Sequence, residues 1–393
     1  MKPSQQEQLM RQYPTIADLR ARARKQIPHI SWEYLDCGTG DERALARNLD
    51  SMGNVTLVPR FMRGEFHPEV GTALCGRTYD APFGVAPVGV CGLMWPQAEK
   101  ILARMAAKYT IPFCLSHVAT QTPETIGPMV GDMGWFQLYP PRTRELRSDI
   151  LRRVRQANFH TLVVTADVPA PGRRERTIRA GLHVPPRVTP RFVWEAMRHP
   201  GWTAGTMRTG LPRLRTMEPY AKSAKMDDVV AFVEENLGCG MSWDYLEQVR
   251  DEWHGTLILK GILHPADAER ALQAGVDGIQ VSNHGARQLD AVPAAIDLLP
   301  AIVRQVGGKA AILFDSGVRS GLDIARALAL GADFVMLGRA FVYAVAALGA
   351  KGADHAAEIL LAELKNNMVQ LGCLTLAELH GLAAPNSARL PCP

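Results

Sequence analysis

The chain of 393 residues predicts an α/β fold: a (β/α)8 TIM barrel with an N-terminal helical preamble and a long insertion after the fourth strand. Three observations carry that expectation. Eight short apolar, β-branched runs recur, and each ends in a polar or glycine-rich stretch. Helix-like segments separate most of them, with strand starts roughly 20 to 30 residues apart, the size of one βα unit. Buried strands that alternate with helices pair in parallel through crossovers. Hydrophobic residues make up 47% of the chain, enough for a large core. A single domain over 1–393 is expected, with a preamble at 1–80, a barrel at 81–350 and a C-terminal helix and tail at 351–393.

Taken in order, Pro14–Gln26 and Ser31–Asp36 read as preamble helices, the second stopped near Gly38, and could cap one end of the barrel. Phe83–Val88, Pro112–Ser116, Trp135–Tyr139 and Leu162–Asp167 read as strands one to four. Leu257–Lys260, Gly278–Ser282, Ala311–Asp315 and Phe334–Leu337 read as strands five to eight. Gln97–Tyr109, Arg144–Ala157, Pro265–Ala274, Pro293–Val306 and Leu322–Leu330 read as helices between them, and Asp354–Leu371 as a tail helix against the last barrel helix. The gap between strands four and five is far longer than the others and must hold the insertion, about 187–228. It carries Arg187, Arg191, Arg198, Arg208, Arg213 and Arg215, with Glu195 the only acid before Glu218. Phe192, Trp194, Met197, Trp202, Met207 and Leu211 are interleaved. That composition has two readings: an interfacial segment that touches anionic lipid through about 187–215, or an active-site lid with solvated arginines.

Several classes are excluded. The seven cysteines are odd in number, form no C-x-x-C pair and do not cluster with histidine, which argues against a disulfide framework or a metal site. Reduced thiols point to a cytoplasmic location. Residues 1–15 lack an apolar signal core, and no run of about 18 apolar residues occurs. A net charge of +5 without a recognisable basic module does not indicate a nucleic-acid partner.

In a (β/α)8 barrel the chemistry sits at the C-terminal strand ends. Seven of the eight strands end in polar residues: Ser116; Gln137 and Tyr139; Thr165 and Asp167; Lys260; Ser282-Asn283-His284-Gly285; Asp315-Ser316-Gly317; Gly338-Arg339. Gly317-Val318-Arg319 and Gly338-Arg339 follow the last two strands, where this fold binds phosphate, with glycine allowing close backbone approach and arginine a bidentate grip.

The run Ser282-Asn283-His284-Gly285-Ala286-Arg287-Gln288-Leu289-Asp290 resembles the active-site signature of the FMN-dependent 2-hydroxy-acid dehydrogenases and oxidases. The stretches 86–92, 260–263 and 337–341 are most similar to the membrane-associated bacterial L-lactate dehydrogenases of that family. The resemblance implies FMN as cofactor and oxidation of an L-2-hydroxy acid, L-lactate above all, to the 2-keto acid. His284 is implied as the base, Asp167 as its orienting carboxylate, Tyr139 as a neighbour of the reacting hydroxyl, and Arg174, Arg287 and Tyr34 as the carboxylate clamp. Lys260 is implied beside flavin N1. Pro87, Val88, Gly89, Ser116, Gln137, Thr165 and Ser282 are implied at the flavin ring, Asp315 at the ribityl chain, and Gly317, Arg319, Gly338 and Arg339 at the phosphate. Gly89 stands where oxidases often carry Ala, which favours a quinone or cytochrome acceptor over oxygen. The resemblance also implies a homotetramer, peripheral on the inner face of the cell membrane. An oxidase that releases hydrogen peroxide is the alternative reading.

Overall fold

The structure is a computed structural model that describes residues 4–182, 189–238 and 241–384. Eight parallel strands close into a barrel: β1 (Phe83–Val85), β2 (Phe113–Ser116), β3 (Gly134–Leu138), β4 (Thr161–Thr165), β5 (Thr256–Ile262), β6 (Gly278–Val281), β7 (Ala311–Phe314) and β8 (Phe334–Leu337). Closure is made by β8 against β1, with Val335 opposite Phe83 and Leu337 opposite Val85. An outer barrel helix follows each strand, from Ala98–Lys108 after β1 to Arg339–Leu348 after β8, with further helices added at some connections.

Strand alternation sorts the side chains. Cys114, Trp135, Val163, Ile258, Leu313, Phe334 and Met336 form a cluster of their own inside the barrel. Their neighbours in sequence, such as Phe136, Leu162, Val164 and Leu259, belong to the larger core under the helices. The same inward files continue two residues further and turn polar: Cys114 leads to Ser116, Trp135 to Gln137, Val163 to Thr165, Ile258 to Lys260 and Leu313 to Asp315. The barrel interior is thus apolar at one end and polar at the other. In β5 the register shifts between Lys260 and Ile262. Gly261 sits there at φ +101°, and a Cβ on it would stand 2.5 Å from Asp167. Only glycine admits that backbone and that neighbour together.

The preamble departs from the helical expectation. Helices Gln5–Gln12, Ile16–Gln26, His29–Asp36 and Arg43–Asn54 are followed by an antiparallel hairpin, Thr72–Leu74 with Arg77–Tyr79. Its Leu74 and Tyr79 plug the apolar end of the barrel, and Trp135 Nε1 donates to the Tyr79 hydroxyl at 3.2 Å. Helix His29–Asp36 instead reaches the polar end. The tail helix, Ala350–Leu371, packs on the last barrel helix as expected, and also on Gly321–Ala329.

The insertion is longer than its sequence boundaries. Helices Pro190–Arg198 and Pro200–Thr209, a turn at Glu218–Tyr220 and helix Met226–Asn236 all precede the barrel helix Trp243–Glu252. Arg187 lies outside the described residues. Trp194, Met197, Met207 and Leu211 are exposed. Trp202 is not: it is buried, donates to the Leu93 carbonyl at 3.0 Å, and Phe192 packs edge-on against it, so this pair anchors the helices to the barrel.

Candidate active site

A cavity of about 560 Å³ opens at the polar end, within the range of small-molecule sites. Tyr34, Pro87, Val88, Gly89, Gln137, Tyr139, Thr165, Arg174, Lys260, His284, Arg287, Asp315, Gly317, Arg319, Gly338 and Arg339 all line it; most sit at or just past strand ends, whereas Tyr34, Arg174 and Arg287 were expected only through the family resemblance. Three candidates stand behind the wall. Asp167 backs His284, with its Oδ1 2.8 Å from the imidazole Nδ1. Ser116 donates to Gln137 Oε1 at 3.0 Å. Ser282 is fully buried, accepts from Lys260 Nζ and donates to Asp315 Oδ1 at 2.6 Å.

The electrostatics fix the imidazole. Nδ1 within 2.8 Å of a carboxylate carries the proton, which leaves the Nε2 lone pair for the cavity. Burial would raise the Asp167 pKa, but the charges of His284 and Lys260 outweigh it and hold the carboxyl at about 2. Burial pushes the His284 pKa below the ordinary value; Asp167 opposes the shift and Lys260 adds to it. The ring is therefore a free base at neutral pH. For Lys260 burial favours the neutral amine, yet Asp167 at 3.3 Å and Asp315 at 3.8 Å prevail and its pKa rises. Burial pushes the Tyr139 phenol up to about 12, so it keeps its proton. His284 itself sits at φ +57°, followed by Gly285 at +63° and Ala286 at +61°. Three consecutive left-handed residues hold the signature loop in a conformation that side chains rarely adopt, a form of strain that collects at functional sites.

The guanidinium groups tell where anions belong. Among the described residues, no ion pair engages Arg174, Arg287, Arg319 or Arg339. Arg339 donates to the carbonyls of Leu35, Cys37 and Gly285, and burial together with Arg319 and Arg287 pushes its pKa down to about 10. Arg174 is lowered too, by burial and then by Arg287, and its Nε is buried without a partner. Arg174 and Arg287 lie 5.9 and 5.1 Å from the Tyr34 ring centroid. Arg173, the other candidate of its pair, faces solvent beside Glu175. Two positively charged ends thus lack counter-ions, one at Arg319 and Arg339, the other at Arg174 and Arg287.

The sequence profile of the family described as FMN-dependent dehydrogenase matches residues 23–384. The chain belongs to that family. It is 39% identical over 364 residues to an L-lactate dehydrogenase of Vibrio parahaemolyticus, covering 92% of this chain and 96% of that one. An L-lactate dehydrogenase of Xanthomonas campestris is 39% identical over 375 residues, covering 95% and 97%. A crystal structure of the monotopic membrane protein (S)-mandelate dehydrogenase superposes with a TM-score of 0.89 at 32% identity, covering 93% and 97%. As an FMN-dependent dehydrogenase the chain uses FMN, and its cavity fits that group. Arg319 and Arg339, with Gly338 at the N-terminus of helix Arg339–Leu348, match a phosphate dianion. Gln137, Thr165 and Lys260, side by side on β3, β4 and β5, offer a row of polar atoms to a planar ring.

The described insertion residues up to 228 do not line the cavity, whereas the later helix Met226–Asn236 does. The side wall comes from Val233, Glu234, Leu237 and Gly238, and from Val168–Pro171, none of which the sequence singled out. Apolar residues on a long connection carry no local signal. Ser316, whose hydroxyl receives the Asn283 and Gly285 N–H groups, and Gly285 itself lay inside quoted motifs and were legible there.

Proposed function

We propose that this FMN-dependent dehydrogenase oxidises an L-2-hydroxy acid, such as L-lactate, to the 2-keto acid, with His284 as base. The observation that carries the reading is the neutral imidazole, oriented by Asp167, in a cavity that also holds the unpaired pair Arg174 and Arg287. Planar guanidinium groups match a carboxylate bidentately, and Tyr34 lies against both. A substrate held there offers its hydroxyl to the Nε2 of His284 and to the Tyr139 phenol. His284 takes the proton, and Asp167 stabilises the imidazolium that forms. FMN, when bound, would supply the acceptor for the two electrons and for the second hydrogen, the one that leaves the α-carbon. Lys260, held as a cation by Asp167 and Asp315, stabilises negative charge that develops on its side of the cavity.

The electron acceptor on this reading is a membrane quinone. The exposed Trp194, Met197, Met207 and Leu211, interleaved with arginines, suit peripheral contact with the anionic inner face of the cell membrane. Among the described residues no helix is long and apolar enough to cross a membrane. A methyl at Gly89 would stand 2.8 Å from a Val118 methyl, so glycine leaves that side of the cavity uncrowded. A homotetramer is part of the proposal and is read by light scattering.

The test is anaerobic mixing of the FMN-loaded protein with a panel of L- and D-2-hydroxy acids, watching the flavin bleach. Rapid bleaching by L-lactate or another L-acid is expected, and indifference to the whole panel would remove the reading. Turnover with a soluble quinone that far exceeds oxygen consumption is expected; the reverse would make the protein an oxidase.

A further inference from the structure

Helix Arg43–Asn54 of the preamble buries Ala44, Asn48 and Met52, spaced four residues apart along one face. Packing alone would favour an apolar side chain at the middle position, yet Asn48 is only 1% exposed and carries an amide. That amide lies against Asn283, the residue before His284. Asn48 Nδ2 donates to Asn283 Oδ1 at 2.9 Å, and Asn283 Nδ2 donates to Asn48 Oδ1 at 2.7 Å. Backbone partners fix which end of Asn283 is which: its Oδ1 also accepts the Ala286 N–H at 3.1 Å, and its Nδ2 also donates to the Pro293 carbonyl at 3.0 Å. The Asn283 amide therefore uses both lone pairs and both hydrogens, and Asn48 supplies half of the partners.

The loop that follows needs such a hold. His284 and Ala286 are not glycines, yet both stand with Gly285 in the left-handed region. Each N–H of that run is taken: His284 by the Ser282 hydroxyl, Gly285 by the Ser316 hydroxyl, Ala286 by the Asn283 side chain. The two serines are fixed from within the barrel, where both donate to Asp315 Oδ1. The Asn283 side chain is fixed from outside it, by Asn48. Helix Arg43–Asn54 is a firm support for that contact. Its Ala44 N–H donates to Asp290 at 2.7 Å and its Ser51 hydroxyl to Asp297 at 2.9 Å. The Asn48 carbonyl in turn abuts Gly317, where a Cβ would stand 2.9 Å from it.

We propose that Asn48 is a positioning residue for the base. It locks the Asn283 amide, the amide holds the left-handed run, and the run sets the His284 imidazole between Asp167 and the substrate hydroxyl. The inference rests on His284 being the base. It adds to that reading a preamble residue that lies outside the signature and does not line the cavity.

Anaerobic stopped flow on the FMN-loaded full chain tests it, with L-lactate or whichever L-acid of the panel bleaches the parent protein fastest. Asn48→Leu removes both bonds to Asn283 at similar volume. The limiting bleaching rate should fall about 10²-fold, the cost of a reacting group displaced by about an ångström. The dissociation constant of the matching 2-keto acid, read from the absorbance of the oxidised flavin, should stay within about threefold, because Arg287 has its own anchor on the Cys37 carbonyl. The decisive measurement repeats the change in His284→Gln. A side chain that acts through the imidazole has nothing left to position there, so Asn48→Leu should then cost less than about twofold in rate. Its effect on the thermal midpoint should be the same in both backgrounds. If Asn48→Leu yields too little folded protein, Asn48→Ser, which leaves room for water, replaces it throughout. A rate loss under about threefold in the parent background overturns the inference. So does a loss of equal size in both backgrounds, which makes Asn48 a purely structural residue. If His284→Gln itself bleaches like the parent, the assignment of the base fails, and the inference falls with it.

Discussion

The two ends of the barrel are built from the same eight strands and obey opposite rules. At the plugged end, the Tyr79 ring meets Trp135 and Phe334 edge to face and Trp135 tilts against Phe334, with ring centroids 5.5 to 6.2 Å apart, and the indole N–H donates to the phenol oxygen. At the open end four arginines lack acids, Arg174 Nε and Gln280 Oε1 are buried without partners, and the signature loop runs left-handed. Stability is concentrated where every group is satisfied, and function where charge and strain are left for ligands to relieve. Substitutions at the two ends should therefore separate rate from stability.

The largest effect is expected for His284→Gln. Flavin bleaching by substrate should slow by about 10⁴-fold, roughly 5 kcal/mol, in anaerobic stopped flow, while the thermal midpoint barely moves. A large fall in the midpoint would make the histidine a structural residue. Trp135→Ala should do the reverse: it should cost about 4 kcal/mol of stability in chemical denaturation and leave the bleaching rate of folded protein intact. Arg287→Met should lower kcat/KM about 10²-fold, near 3 kcal/mol, with the loss largely in KM. Because it relieves repulsion on Arg174 and Arg339, the midpoint should hold or rise; a drop like that of Trp135→Ala would break the contrast between the ends. The pH profile sharpens it further. The base must be unprotonated, and burial lowers its pKa, so kcat/KM should rise with pH along an acid limb whose midpoint lies below the ordinary histidine value. Asp167 raises the His284 pKa, so Asp167→Asn should move that acid limb lower still, alongside a slower reaction. The smallest effect belongs to Tyr79→Phe, which removes one buried hydrogen bond and should cost about 1 kcal/mol in the same denaturation.

The barrel was legible because its strands are short, apolar and buried on both faces, and because inward files turn polar at one end only. Strand limits agree within a few residues, with β1 the clearest shortfall: it ends at Val85 rather than at 88. The hairpin was not legible. Its two-residue turn is Cys75-Gly76, at φ +48° and +77°, and lacks the Asn or Asp that usually announces such a turn. Nearly every candidate site residue reached the cavity, since a strand end fixes a side chain in space. Asp167, Ser116 and Ser282 did not, because each is covered by a neighbour: His284 in the first case, Gln137 in the second, and Lys260 with Asp315 in the third. The wall at Val233–Gly238 escaped notice for the opposite reason: no strand register ties it to the barrel.

Gly261 gives that last contrast a wider meaning. Its missing side chain is the space that Asp167 occupies, so β5 has no freedom to vary at that point without prying the acid from the imidazole. We expect change in substrate preference to fall away from the strands and in the helix Met226–Asn236, whose Val233 and Glu234 line the cavity and which can be reshaped while the proposed proton-transfer pair stays still. A lineage can retune what it consumes without rebuilding how it consumes it.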